Sequence, residues 1–169
     1  MFSIGDVIVY ESTGVCRVVD ISPRAVAGSG KDAMHYTLKP LYQDGFIYIP
    51  VDSDKVFMRD VITRERAEQL IDMIPGIKAE ICSSGNRQQL IEHYQSAFSS
   101  HSCVDLIELI KSIYSKQAYA AEHHRRLGQL DARYMKRAEE LLYGEFSVAL
   151  GIPKSEVVGY IKKRIGEAK

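Results

Sequence analysis

Tryptophan is absent from these 169 residues, cysteine occurs three times, and neither sign of charge predominates, with Lys plus Arg and Asp plus Glu at 22 each. Balanced charge gives the whole chain no electrostatic bias towards nucleic acid or an acidic membrane, so any such argument must be local. Cys16, Cys82 and Cys103 are odd in number and scattered, which excludes the paired spacing of a zinc ribbon or a redox motif and leaves reduced, buried thiols as the expectation. No apolar run approaches the roughly 20 residues that span a bilayer, and Met1-Phe-Ser-Ile-Gly-Asp6 lacks the charged and apolar regions of a signal peptide. The expectation is a cytoplasmic protein with no membrane partner.

Catalytic signatures are missing too. There is no glycine-rich phosphate cradle, no nucleophile elbow and no histidine pair at helical metal-binding spacing. His123 and His124 are adjacent, so on a helix they diverge by about 100°. His93, His101 and Cys103 are conceivable ligands, but lone surface histidines are more often solvated. Glu139, Glu140 and Glu145 read as a solvated helix face before they read as general acids. The expectation is a protein with no catalytic residue, no metal, no cofactor and no small-molecule substrate.

What is present changes character near residue 60. Before it, short runs of β-branched and aromatic residues lie between turn formers, which predicts strands over 4–10, 15–21, 34–41, 46–51 and 56–58, with a Gly/Ser/Ala-rich loop over 23–32. Five short antiparallel strands bury one face most economically as a small SH3-like or Tudor-like β-barrel. Pro40 and Pro50 belong at strand ends or on an edge, so one edge is expected to stay partly open.

After residue 62 the period becomes helical. Thr63 is placed to cap a helix carrying Ala67, Leu70, Ile71 and Ile74 on one face, stopped by Pro75-Gly76. Ser83-Ser84-Gly85-Asn86 precedes a helix from Arg87 to about Ala97. Ser102-Cys-Val-Asp105 has the form of a capping box before Leu106, Leu109, Ile110, Ile113 and Tyr114. Ala118 to Leu127 is helical in propensity but weakly patterned. Asp131 begins a stronger helix ended by Gly151-Ile-Pro153, and a last helix covers 153–165. The predicted class is α+β in two domains, a five-stranded antiparallel β-barrel over 1–62 and an all-α bundle over 63–169.

Charge is local as well. Residues 1–60 hold six basic against eight acidic residues, whereas 111–137 carries Lys111, Lys116, Arg125, Arg126, Arg133, Lys136 and Arg137 against only Glu122 and Asp131. Arg133, Lys136 and Arg137 share a helical face opposite the apolar stripe, an arrangement suited to phosphates, the alternative being an ordinary solvated face.

Phe2-Ser-Ile-Gly-Asp-Val-Ile-Val-Tyr10, Gly14-Val-Cys-Arg-Val-Val-Asp-Ile21, Tyr36-Thr-Leu-Lys-Pro40, Ile47-Tyr-Ile-Pro-Val51 and Val56-Phe-Met-Arg-Asp-Val-Ile62 resemble the CarD/CdnL domain that also occurs in transcription-repair coupling factors. Leu106 to Tyr114 and Asp131 to Leu150 resemble the helical half of the stand-alone members. The resemblance implies a bacterial, non-enzymatic transcription regulator whose β domain binds the RNA polymerase β subunit by pairing an edge strand, through Arg24 and Phe46, Ile47, Tyr48 and Ile49. It further implies a helical domain that contacts promoter DNA, largely independently of sequence, through Asn86, Arg87, Arg125, Arg126, Arg133, Lys136 and Arg137. Two positions depart from the pattern. Asn86 or Arg87 stands where DNA-binding members carry a wedging tryptophan, and Tyr48 stands where many members are basic. A protein-only adaptor with no DNA contact is the competing reading.

Overall fold

The structure, a computed structural model, describes residues 2–11, 13–26, 28, 30–53, 56–78 and 86–166. Cys82 and the capping candidates Ser83 and Ser84 lie outside them. The chain forms two compact units, residues 1–62 and 63–169.

The first unit is one antiparallel sheet of β1 (Val7–Tyr10), β2 (Gly14–Ala25), β3 (Asp32–Pro40), β4 (Ile47–Pro50) and β5 (Met58–Asp60), in the order β4-β3-β2-β1-β5. Alternation sends Ile8, Cys16, Val18, Tyr36, Leu38 and Ile49 to one face, where they form the core, with Phe2, Tyr10, Ile21 and Ile47 packed at its margin. The Tyr36 hydroxyl accepts a hydrogen bond from the Phe2 amide at 3.0 Å, which satisfies a polar group deep in this small core. Burial drives the Cys16 thiol up to about 11, so it is a neutral packing group.

The expected barrel is not closed. Among the described residues no ladder joins β4 to β5, and both remain edges. Strands of four and three residues offer too little length to wrap and meet.

The β2–β3 hairpin is longer than the sequence suggested, because its ladder runs to Ala25↔Asp32 through the stretch predicted as a loop. The reason is the direction in which Pro23 points. Val26 N–H donates to the Lys31 carbonyl at 3.0 Å, so alternation turns the nitrogen of Pro23 away from β3, where its missing hydrogen costs nothing. Val51 N–H donates to Met34 at 2.9 Å, which by the same alternation aims Ile47 and Ile49 N–H at β3 and turns Tyr48 and Pro50 outward. Pro50 thus ends β4 without breaking a bond of the ladder.

The second unit comprises α1 (Arg64–Met73), a 3₁₀ turn (Ile74–Gly76), α2 (Arg87–Ser99), α3 (Cys103–Glu122), α4 (Gln129–Leu150) and α5 (Lys154–Gly166). Thr63 caps α1, its hydroxyl accepting from Arg66 N–H at 3.1 Å. The Ser102 box does not form. Ser102 makes no side-chain cap bond; the chain reverses at His101 (φ 55°), and the Ser102 amide is turned onto Ser100 Oγ at 3.3 Å. Helix α3 continues unbroken through the weakly patterned stretch to Glu122, and His124, at φ 55°, ends it while Arg125 N–H bonds the Ala120 carbonyl at 2.7 Å. Gly151, at φ 68°, closes α4 in the left-handed conformation that glycine adopts without strain.

Ala138, Leu142 and Phe146 of α4 and Leu106, Leu109 and Ile113 of α3 are buried in the bundle. An ion-pair cluster ties α5 to α1: Arg164 Nε and Nη2 hold Asp72 at 2.6 and 3.0 Å, and Nη1 holds Glu68 at 2.7 Å. The hydrogen bond from Arg164 keeps the Asp72 carboxyl below the usual range. Because the folded value lies below the unfolded one, this stabilisation is present above about pH 4 and is lost as pH falls through the folded value. Arg164→Gln is therefore expected to lower Tm slightly at pH 6, the cluster being exposed, and to approach wild type as pH falls through the folded value of Asp72. Thermal melts across that range check it.

Candidate functional site

The outer face of the sheet carries the residues that the first unit does not need for its core. Alternation and the β2–β3–β4 register place Arg17, Lys39, Asp20, Thr37, Tyr48, Ser22, His35 and Arg24 on it. The guanidinium of Arg24 lies over the Tyr48 ring, 3.7 Å from its centroid. Since β3 separates β2 from β4, this stack bridges two strands across the one between them. Thr37 and His35 lie on the same face of β3 and are buried, at 8% and 9% exposure. Next to it, Lys39 Nζ lies over the Phe46 ring at 5.4 Å.

Phe46 and Tyr48 are 55% and 46% exposed. Ile47 is half-buried against the core and Ile49 is within it, and their backbone groups face β3, so these two anchor the strand and leave the free edge to Tyr48 and Pro50. The five residues expected at the polymerase contact thus divide by role. Arg24, Phe46 and Tyr48 offer side chains, whereas Ile47 and Ile49 fix the strand. Sequence reasoning missed the pairing of Arg24 with Tyr48. Only the register, with Tyr48 opposite Thr37 and Arg24 opposite Ala33, reveals it.

In the helical unit the basic segment is thinned by internal use. Lys111 Nζ donates to the Ile74 and Ile77 carbonyls at 2.6 and 2.5 Å, satisfying the end of the α1 region. Lys116 pairs at 3.0 Å with Asp131, which is 5% exposed and also accepts from the buried Tyr94 hydroxyl. Arg137, expected on the phosphate face, is half-buried and 3.8 Å from Glu140. Arg125, Arg126, Arg133 and Lys136 remain exposed. Arg125 and Arg126 line a groove of about 490 Å³ with Lys116, Tyr119, Gly128 and Asp131.

Asn86 and Arg87 open α2. Asn86 is its N-cap, the side-chain oxygen accepting from Gln88 and Gln89 N–H at 2.9 and 3.4 Å, so this side chain is turned back onto its own helix. Arg87 is exposed.

The carboxylates are not one solvated face. Glu145 is 3% exposed and accepts from the Cys103 thiol at 3.3 Å, and burial raises the Glu139 carboxyl. Both follow from their helix: α4 packs against α1, α3 and α5, so little of its circumference faces water. Among the described residues no His/Cys/Asp/Glu group is arranged to hold a metal ion, and no helix is long and apolar enough to cross a membrane.

The sheet is open, and its short edge strand β4 is flanked by exposed aromatic and cationic side chains. Residues 2–62, the whole of this sheet, match the family model of the CarD-like/TRCF RID domain. That domain is an RNA polymerase β-interacting domain.

Proposed function

We propose that this chain is a bacterial, cytoplasmic transcription regulator of the stand-alone CarD/CdnL kind, acting by binding and without catalysis. The β unit attaches to the RNA polymerase β subunit by adding a strand to the open edge of β4, with Arg24, Phe46 and Tyr48 supplying side-chain contacts. The observation that carries this reading is the coincidence of the family match over 2–62 with an edge strand that turns the Tyr48 backbone outward. In the helical unit, Arg87, Arg125, Arg126, Arg133 and Lys136 contact promoter DNA at phosphates, with Arg137 and Asn86 contributing less because each is engaged within the fold. Phosphate contacts position a protein without reading sequence, and tethering to polymerase raises the local concentration enough for a weak contact to act.

The engagement of Lys111, Lys116 and Arg137 favours a second reading, in which the helical unit binds protein and touches no DNA. One experiment addresses both. The full chain is expected to retain polymerase from solution and to bind duplex DNA weakly, with an affinity that falls steeply with salt. Replacing Arg125, Arg126, Arg133 and Lys136 by Gln is expected to flatten that dependence, by about one unit of logarithmic slope for each phosphate no longer neutralised. Retention of polymerase without any salt-sensitive DNA binding would establish the adaptor instead. Failure of the folded chain to bind cognate polymerase would remove both readings.

A further inference from the structure

Arg24 begins two strands away from the edge at which docking takes place. An arginine there is a long, mobile side chain with no fixed direction. In this protein its guanidinium makes no hydrogen bond or ion pair among the described residues, and its one partner is the Tyr48 ring, whose centroid lies 3.7 Å from the guanidinium carbon. Stacking uses the face of the guanidinium and leaves the N–H donors on its rim free. Tyr48 is the residue of β4 whose own N–H and C=O point away from β3. The ring therefore draws Arg24 towards the strand that, among the described residues, has an unused backbone donor and acceptor.

We propose that Tyr48 is a positioning residue for Arg24: it holds the guanidinium over its own ring on β4, so that a chain added to β4 meets the Tyr48 backbone and the Arg24 donors as one preformed set. The inference rests on the polymerase-docking reading for its partner, but the stack itself is a property of the free protein. The tyrosine at position 48 then replaces mobility with direction, because a ring fixes an arginine that would otherwise be ordered only on binding. The Lys39–Phe46 pair, at 5.4 Å, is the looser counterpart two residues away on the same face.

Two measurements on the full chain test this. In the free protein, the Arg24 Nε–H resonance is expected to be shifted upfield by the ring current, to return to an ordinary position in Tyr48→Leu, and to stay shifted in Tyr48→Phe. In binding to purified RNA polymerase, Arg24→Ala and Tyr48→Leu are each expected to weaken affinity about fivefold, the double variant no more than either alone, and Tyr48→Phe close to wild type. An ordinary Arg24 resonance in the wild type, or single-variant effects that multiply in the double, would overturn the proposal. If wild type does not bind polymerase, the docking reading fails, and the resonance alone decides whether Tyr48 positions Arg24.

Discussion

Proline at position 48 is expected to cut polymerase binding by about 30- to 100-fold while leaving the fold intact. The N–H of Tyr48 faces away from β3, as the Val51–Met34 bond and the alternation of the ladder require, so its removal breaks no hydrogen bond of the sheet. Proline already ends the same strand at Pro50 with its nitrogen turned the same way. On binding, however, the variant lacks an outward donor, worth about 1 kcal/mol, and the ring that holds Arg24, worth about 0.5–1 kcal/mol, and its own ring crowds the incoming strand. A combined cost of about 2–2.7 kcal/mol gives the stated range. Ile49→Pro is the contrasting control. That N–H faces β3 and the side chain is 3% exposed, so the expected result is loss of the folded sheet. Circular dichroism and titration against polymerase distinguish the two. Wild-type affinity in a folded Tyr48→Pro protein would show that the β4 edge is not where the partner pairs.

The second large effect is on stability. Asp131 lies in the first turn of α4, buried, and its Oδ1 serves both the Tyr94 hydroxyl and the Lys116 ammonium, the latter at 3.0 Å. Three helices meet in this one carboxylate: α2 through Tyr94, α3 through Lys116 and α4 itself. Asp131→Ala removes an acceptor from both donors and, for the ammonium, whose side chain is only 24% exposed, the carboxylate charge 3.0 Å away. Breaking such a pair from one side is expected to cost about 3 kcal/mol, a fall in Tm of roughly 10 °C or more for a unit of this size. Asp131→Asn should fall between, because its oxygen still accepts from Tyr94 while the charge opposite Lys116 is gone. Thermal denaturation of the full chain checks the order. Equal Tm for wild type and Asp131→Ala would mean that the carboxylate adds no net stability.

The elements best read from sequence are those specified locally. Thr63 caps α1 as its position relative to Ala67 and Leu70 indicates, and Gly151 ends α4 where Gly-Ile-Pro promised a stop. The errors share a cause. Pro23 looks like a strand breaker until the direction of its nitrogen is known, and that direction depends on pairing with β3. Ala118 to Leu127 lacks a stripe because the end of α3 is largely exposed, so periodicity had nothing to report. Lys111, Lys116 and Glu145 read as surface charge, yet their partners lie 15 to 42 residues away, beyond any helical spacing. The edge strand and Arg24 were reached by resemblance, whereas the stack that joins them is visible only in the register.

The arrangement of β4 also bears on self-association. An unpaired strand is a template for any other chain, its own copies included, and long flat edges invite aggregation. Here the edge is four residues long, and Pro50 removes an outward donor at its end. Two copies brought edge to edge would share few bonds, too few to hold them together without help from side chains. A partner with its own complementary surface gains that help. Brevity and proline thereby favour pairing with a partner that fits and make this edge a poorer template for its own copies than a longer one would be.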